Sequence, residues 1–446
     1  MRRMRAAVLT LGMLAAANCV LLAALLELPP AATAAYAVLS AVLTLYCCLR
    51  PTAGDYPAPV LRRLDGGSAL LAMGLRVETV SAVFTALAGI FYMPARFGAG
   101  TLIGSCAVVL AATGLLLAAG LVRAFASSAQ MGVRWRVALI LLWWVPLANI
   151  ALFARIRAIA RDEYRFETAR WELDHARAEN AVCRTKYPIL LVHGVFFRDS
   201  RFFNYWGRVP AELIRNGAAV FYGEQQSAAS VEDSAKELAA RIRAVAEQSG
   251  TGKVNIIAHS KGGLDARLAI SRLGAAPYAA SLTTINTPHR GCLFAEYLLG
   301  KTSQKFQQGL ADTYNAALKK LGDANPDFLA AVRDLTKSAC DALNEKAPDM
   351  PGVLYESVGS KVRRARSGQF PLNVSYPLVR HFDGENDGLV AVEAAKWGTA
   401  FTLLTPKGRR GISHGDVIDL NRENIPGFDV REFYVQLVRS LKERGY

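Results

Sequence analysis

The order of apolar and polar residues divides this chain of 446 residues near residue 155. Before that point, apolar runs are long enough to cross a hydrocarbon core, which takes roughly 20 residues per helix. After it, short apolar runs alternate with amphipathic stretches. Residues 1–155 are therefore predicted to form a transmembrane helical region of about five spans. The spans are expected near 6–28, 31–49, 76–95, 99–122 and 137–154.

The second part has the rhythm of a parallel α/β sheet. Short runs typical of buried strands are separated by stretches with helical spacing, one of which opens with a capping box at Ser230-Val231-Glu232-Asp233. Repeated strand, helix, strand predicts a mostly parallel, doubly wound sheet over residues 186–446. Strands are expected at 188–192, 218–222, 254–258, 282–285, 353–357 and 401–404, and a closing helix at 428–441.

Two helical stretches fall outside this rhythm. Residues 156–185 are rich in Arg, Glu and Ala and are predicted to form a charged helical linker. Residues 293–345 carry helix after helix, with one helix expected to start at Asn325-Pro326. This insert is predicted to be a helical cap on the sheet domain.

The distribution of charged residues predicts how the chain is oriented in the membrane. The formal net charge is +15, and residues 1–160 hold 13 Arg, no Lys and 4 acidic residues. Arginines that flank apolar runs indicate a membrane protein rather than a nucleic-acid-binding one. With five spans, the positive-inside rule puts the arginines near 50, 62 and 123 in the cytoplasm and the chain after residue 155 outside it. Arg155 and Arg157 favour the opposite side. The expectation is an integral protein of the bacterial cell membrane with an extracytoplasmic sheet domain.

The pentapeptide Ala258-His259-Ser260-Lys261-Gly262 closes one predicted strand and opens a helical stretch. Ser260 is therefore expected on a sharp strand-to-helix turn, as in the G-x-S-x-G elbow that presents a nucleophilic serine. Ala258 replaces the first glycine of that pattern but is small enough for the turn. The alternative is that Ser260 is an ordinary turn serine. Whether the sequence offers Ser260 catalytic partners decides between the two interpretations.

A serine hydroxyl becomes a nucleophile when an imidazole takes its proton and a carboxylate orients that imidazole. In α/β-hydrolases the chain order is serine, acid, histidine, which selects His414 on a glycine-flanked loop. The acid is predicted to be Asp387 in the turn Asn386-Asp387-Gly388. The rival residues are His289 and His381 for the base and Asp383, Asp416 and Asp419 for the acid.

Two backbone N–H groups are needed where negative charge develops during attack on an ester. Val195 follows the first predicted strand of the sheet domain and Lys261 follows the nucleophile, so their N–H groups are the predicted oxyanion donors. His193 is expected to be structural. The histidines form no metal-ligand cluster in the sequence, so no catalytic zinc and no required cofactor are expected.

Five motifs in order resemble those of bacterial triacylglycerol lipases of the α/β-hydrolase fold, over roughly residues 186–443. They are Leu191-Val-His-Gly194, Ala258-His-Ser-Lys-Gly-Gly263, Asn286-Thr-Pro-His-Arg-Gly291, Asn386-Asp-Gly-Leu-Val390 and Ser413-His-Gly415. The resemblance implies Ser260 as nucleophile, Asp387 as acid and His414 as base, with a lid formed by the helical insert. Some relatives bind calcium through an acid two residues after the histidine, here Asp416, which makes a structural calcium a weak candidate.

The function expected from these residues is a membrane-tethered serine hydrolase that cleaves carboxylic esters of lipids through an acyl-enzyme. Its expected partners are an apolar ester substrate and the bilayer, not nucleic acid. An acyltransferase or thioesterase with the same triad is the nearest alternative. An alternative of another class is a transport or sensing protein whose hydrolase domain is silent, although the predicted spans contain few charges for an ion pathway.

Overall fold

A computed structural model describes residues 2–52, 55–92, 98–145, 147–195, 204–320, 323, 325–406 and 408–446. The chain divides into two compact units, residues 1–175 and 176–446. The boundary falls inside the stretch that the sequence predicts as a charged helical linker.

Among the described residues of the first unit, seven helices begin. They are α1 (Arg2–Ala17), α2 (Cys19–Leu25), α3 (Pro30–Leu49), α4 (Pro59–Tyr92), α5 (Ala99–Ser127), α6 (Val133–Leu142) and α7 (Ala148–Arg177). Three of them, α3, α4 and α5, are long and apolar enough to cross a membrane, by length and composition. A fourth span results if α1 and α2, which meet at a bend of 69°, count as one.

The predicted spans 31–49 and 99–122 coincide with α3 and α5, and 76–95 falls on the later part of α4. Residues 93–95 of that span lie outside the described residues. The predicted span 137–154 is not one helix, because α6 ends at Leu142 and α7 begins at Ala148. Five continuous spans are therefore not found among the described residues.

Helices α4 and α5 pack closely because small residues line their contact. A Cβ added at Gly120 would lie 2.9 Å from the Leu71 side chain and 3.1 Å from its backbone nitrogen. Such small-residue contacts are typical of apolar helices in lipid, where the hydrophobic effect does not drive helices together. Leu70, Val77 and Leu116 form the adjacent buried core, whereas Leu39 and Leu110 on the outer faces are exposed.

The second unit is a six-stranded parallel sheet with helices on both faces. Its strands are β1 (Ile189–Val192), β2 (Val220–Tyr222), β3 (Val254–His259), β4 (Ala279–Ile285), β5 (Leu354–Ser360) and β6 (Ala400–Leu404). Their order is β2-β1-β3-β4-β5-β6, and every neighbouring pair is parallel. All six predicted strands are present. This arrangement is the predicted α/β-hydrolase fold.

The helices that flank this sheet are α8 (Val209–Arg215), α9 (Val231–Gln248), α10 (Lys261–Arg272) and α16 (Val430–Glu443). Alternate residues of β1 enter different cores, because side chains of a strand point to opposite faces. Leu191 packs in the core that holds Tyr434 of α16. Leu190 packs in the core that holds Ile242 of α9. Burial on both faces explains why these strands are short, unbroken apolar runs.

The predicted cap is helical in the structure. Its helices are α11 (Leu293–Lys301), α12 (Gln304–Lys320), α13 (Phe328–Arg333) and α14 (Lys337–Lys346), and α15 (Leu372–Asp383) follows β5. The expected helix start at Asn325-Pro326 is wrong. Helix α13 begins at Phe328, where the Asp327 carboxylate caps it by accepting a hydrogen bond of 2.9 Å from Ala330 N.

Candidate active site

Ser260 stands between β3 and α10 in a conformation that is rare for a residue with a side chain. Its φ is 54° and its ψ is −132°, outside the regions that non-glycine residues prefer. The turn is tight enough that a Cβ at Gly262 would lie 2.3 Å from the His193 carbonyl oxygen. Ser260 N donates to Ile285 O at 2.9 Å, and the Thr287 hydroxyl donates to Ser260 O at 2.7 Å. These contacts hold the predicted elbow at the carboxyl edge of the sheet.

The three side chains predicted to cooperate are joined by two hydrogen bonds. His414 Nε2 is 3.1 Å from Ser260 Oγ, and His414 Nδ1 is 2.7 Å from Asp387 Oδ2. All three residues are buried. The loops that carry Asp387 and His414 are also joined directly, because His414 N donates to Asp387 O at 3.0 Å. Hydrogen bonds thus connect Ser260 through His414 to Asp387, although the three residues are far apart in sequence.

The Asp387 carboxylate is held by several donors besides His414. Asn286 Nδ2 donates to Oδ2 at 2.6 Å, and the backbone N–H groups of Leu389 and Val390 donate to Oδ1 at 2.8 and 2.7 Å. Asn286 follows β4, so the sheet itself supplies one of these donors. Each donor restricts the rotation of the carboxylate and keeps Oδ2 directed at the imidazole.

The rival residues have other partners. His289 is fully buried against Thr284 and Trp397, and burial lowers its pKa well below the usual value. His381 packs on Phe382. Asp383 accepts from the first N–H groups of α11, and Asp419 binds Arg208 through both oxygens. None of these four side chains contacts Ser260 or His414 in the hydrogen bonds and ring contacts of the described residues.

The two residues predicted to supply oxyanion donors are Lys261, which follows Ser260 in the chain, and Val195. Lys261 is the first residue of α10, and the first N–H groups of a helix have no partner inside the helix. Its side chain is engaged elsewhere, since Nζ donates to Asp265 at 2.7 Å and to Ser234 at 2.9 Å. Val195 is half-buried and lines the same cavity as Ser260. His193 is buried, with Nδ1 2.9 Å from Gly194 O, in keeping with a structural role.

A second hydrogen-bonded chain supports this site and was not predicted. Gly194 N donates to the Tyr205 hydroxyl at 3.1 Å, and that oxygen is 2.6 Å from His259 Nδ1. Burial, and then the nearby His414, lower the pKa of His259 well below its usual value, so His259 is neutral. The rings of His259 and His414 are 4.5 Å apart.

Asp416, the weak calcium candidate, does not fit a metal site. One oxygen accepts from Arg410 Nη2 at 3.0 Å and the other from Ser413 N at 2.9 Å. The same guanidinium binds Glu423 at 2.9 Å. The described residues contain no group of three or more His, Cys, Asp or Glu side chains arranged to hold a metal ion. The Asp416 carboxylate that calcium would need is thus already paired with the Arg410 guanidinium.

Ser260 opens into an apolar cavity of about 500 Å³. Val195 and His414 line it beside the serine, and the cap helices contribute Phe294, Leu298 and Val332. Small-molecule sites of this kind commonly have volumes of roughly 300–1,000 Å³ and a few polar groups among apolar walls. The arrangement suits a substrate with one polar reacting group and an apolar chain.

No family model matches the chain. A triacylglycerol lipase from Burkholderia plantarii is 32% identical over 188 residues, which are 39% of this chain and 51% of that protein. A triacylglycerol lipase from Vibrio cholerae is 29% identical over 241 residues, which are 49% of this chain and 76% of that protein. The chain is homologous to bacterial triacylglycerol lipases. It spans about half the length of the first of these lipases.

Among solved structures, the mature lipase BlEst2 of Bacillus licheniformis matches with 24% identity and a TM-score of 0.44, over 57% of this chain and 92% of that one. Staphylococcus hyicus lipase matches with 18% identity and a TM-score of 0.46, over 58% of this chain and 97% of that one.

Proposed function

We propose that this protein is a membrane-attached serine hydrolase that cleaves carboxylic esters of lipids through an acyl-enzyme. The observation that carries the proposal is the relay from Ser260 Oγ through His414 to Asp387, with distances of 3.1 and 2.7 Å. The homology to triacylglycerol lipases supports the same chemistry.

In the proposed reaction, Ser260 Oγ attacks the ester carbonyl while His414 Nε2 takes its proton. Asp387 keeps the imidazole in the required tautomer and stabilises its charged form. The N–H groups of Val195 and Lys261 bind the oxygen on which negative charge develops. His414 then protonates the leaving alcohol, and a water molecule activated by His414 releases the acid from Ser260.

The proposed substrate class follows from the walls of the cavity. Apolar side chains from the cap and from the loops beside His414 surround Ser260, so an acyl chain would be buried there at the expense of water contacts. Attachment through the apolar helices of the first unit would keep the enzyme beside water-insoluble esters.

The proposal is tested by hydrolysis of a soluble p-nitrophenyl ester by the full chain in detergent. Ser260→Ala is expected to abolish turnover, and Asp387→Asn to lower kcat by about 10⁴-fold because the imidazole loses its orienting carboxylate. Ser249→Ala, at a surface turn, serves as the matched control and should retain full activity. Turnover by Ser260→Ala at the parent rate would refute the assignment. An added alcohol acceptor separates hydrolysis from acyl transfer by the products formed.

A further inference from the structure

The segment between α5 and the middle of α7 begins and ends at one place in the first unit. Glu163 of α7 accepts hydrogen bonds from Ala129 N at 2.8 Å and Gln130 N at 3.4 Å, and also from the Ser128 hydroxyl. Glu163 is only 5% exposed, so this junction is buried. A segment that crossed the hydrocarbon core would have its ends about 30 Å apart. Residues 131–162 therefore leave one end of the unit and return to it.

Within this segment, α6 and the start of α7 form a hairpin. The Arg155 guanidinium lies 5.5 Å from the ring of Trp135. These two residues are equally distant in sequence from residue 145, so the described residues between α6 and α7, 143–145 and 147, are at the tip. Helix α6 has 10 residues, which corresponds to a length of about 15 Å. This length reaches roughly halfway through a hydrocarbon core of about 30 Å.

The tip of the hairpin is apolar and uncovered within the first unit. Trp143 is 61% exposed, Trp144 67% and Leu147 78%. Tryptophan favours the boundary between water and lipid, and arginines flank this hairpin on both sides, at Arg134 and Arg155. An exposed apolar tip with cationic flanks matches a phospholipid surface, with its apolar chains below its phosphates.

The end of the unit to which the hairpin returns is the arginine-rich end. Arg5 donates to the Tyr46 hydroxyl at 3.0 Å, and Arg123 donates to Leu49 O at 3.3 Å, so α1 begins where α3 and α5 finish. The rings of Tyr56 and Tyr164 are 6.3 Å apart, which puts α7 at this same end. The described residues at the opposite end, 26–29 and 98–101, contain no arginine.

We propose that residues 133–155 enter the phospholipid bilayer from one side and return without crossing it. The crossings are then the bent pair α1 and α2, α3, α4 and α5, an even number. The chain from Glu163 onward lies on the same side as the N-terminus, which the positive-inside rule assigns to the cytoplasm. This reverses the side expected from five spans, because that expectation counted 137–154 as a crossing.

The side of the membrane is tested by cysteine labelling of the full chain in spheroplasts with a membrane-impermeant maleimide. Gly98→Cys lies at the N-terminal end of α5 in open space, and Gln248→Cys lies at the exposed end of α9. We expect Gly98→Cys to react in intact spheroplasts, and Gln248→Cys to react only after permeabilisation. The parent chain, with its seven native thiols, gives the background. Labelling of Gln248→Cys in intact spheroplasts, or the absence of Gly98→Cys labelling there, overturns the proposal.

The position of the tip is tested by tryptophan fluorescence in vesicles of brominated phospholipid. Bromine on the acyl chains is expected to quench the parent chain, and Trp143→Phe with Trp144→Phe should remove most of that quenching. Trp171→Phe is the matched control, since Trp171 stacks on His175 outside the hairpin. Equal quenching of the parent and the double variant would mean that the tip lies outside lipid, which would refute the hairpin.

Discussion

At the scale of single residues, the Ser260 hydroxyl depends on contacts beyond the three predicted side chains. Tyr205 links the Gly194 N–H, next to a proposed oxyanion donor, to His259, whose ring lies beside that of His414. Tyr205 thus contacts the neighbour of a proposed oxyanion donor and the neighbour of the proposed base. It makes no hydrogen bond with Ser260 among the described residues. We therefore interpret Tyr205 as a positioning residue.

Replacing Tyr205 with Phe should lower kcat by about tenfold, with KM for a soluble ester changed by less than about twofold. The change removes the hydrogen bonds of two buried groups, and a tenfold fall in kcat corresponds to the loss of about 1.4 kcal/mol of transition-state stabilisation. Steady-state kinetics on the full chain measure both constants. Tyr434→Phe is the matched control, because the Tyr434 hydroxyl is buried with no hydrogen-bond partner among the described residues. If both variants keep the parent kcat, the positioning role is wrong.

Sequence reasoning could single out Ser260, Asp387 and His414, because motif and chain order limit the choices. It could not find Tyr205, because a tyrosine in a loop has no local pattern that distinguishes it. Its partners, Gly194 and His259, are 11 and 54 residues away. Only the folded chain brings them together.

At the scale of elements, α10 contains a buried ion pair next to Ser260, and the lysine of that pair also binds α9. Lys261 Nζ contacts Asp265 at 2.7 Å, with both side chains almost fully buried, and Ser234 of α9 at 2.9 Å. Burial raises the pKa of Asp265 to about 7, although Lys261 lowers it. Because the folded state raises this pKa, it binds more protons than the unfolded state, and stability falls as pH rises towards 7.

Replacing Lys261 with Met should cost about 3–5 kcal/mol at alkaline pH, because Asp265 is left buried and unpaired. The cost should be smaller near pH 6, where Asp265 can stay protonated. The double variant Lys261→Met with Asp265→Leu should recover most of the stability. Thermal unfolding of the full chain in detergent at pH 6 and pH 9 measures these differences. A single variant with the same loss at both pH values would contradict the account.

The loop that carries His414 is fixed by Arg410, which binds Asp416 and Glu423. EDTA should therefore leave ester hydrolysis by the parent unchanged, since the guanidinium already occupies Asp416. Arg410→Gln should lower kcat several-fold, because it releases the segment next to His414. Arg439→Gln, in the exposed pair with Glu443, is the control for loss of an ion pair. Activity that EDTA abolishes and calcium restores would contradict this prediction.

Strands of the sheet could be predicted because burial on both faces leaves an unbroken apolar run, as in Val254–His259. The start of α13 could not be predicted, because in the folded chain the helix is capped by Asp327 and not by Asn325-Pro326. The absence of the fifth span could not be predicted either, because the composition of residues 137–154 is equally suited to a hairpin. What distinguishes the two structures is the buried contact of Glu163 with residues 128–130, which no local pattern reveals.

At the scale of the whole molecule, the apolar outer faces of α3, α4 and α5 predict stable insertion into a membrane. The exposed side chains include Leu39, Ile90 and Leu110. Exposed apolar area of this extent is stable only against lipid or another apolar surface. Full-length protein in membranes washed with alkaline carbonate should stay in the pellet, and detergent should release it. Recovery in the carbonate supernatant would show that the apolar faces do not insert.

The central claim is that the Ser260 hydroxyl is a nucleophile activated by His414. The most direct measurement is mass spectrometry of the full chain after reaction with a fluorophosphonate. We expect one adduct, on the proteolytic peptide that contains Ser260, and a rate of adduct formation that falls by orders of magnitude in His414→Gln. An unmodified Ser260 in enzyme that the reagent has inactivated, or an adduct on another residue, would contradict the account.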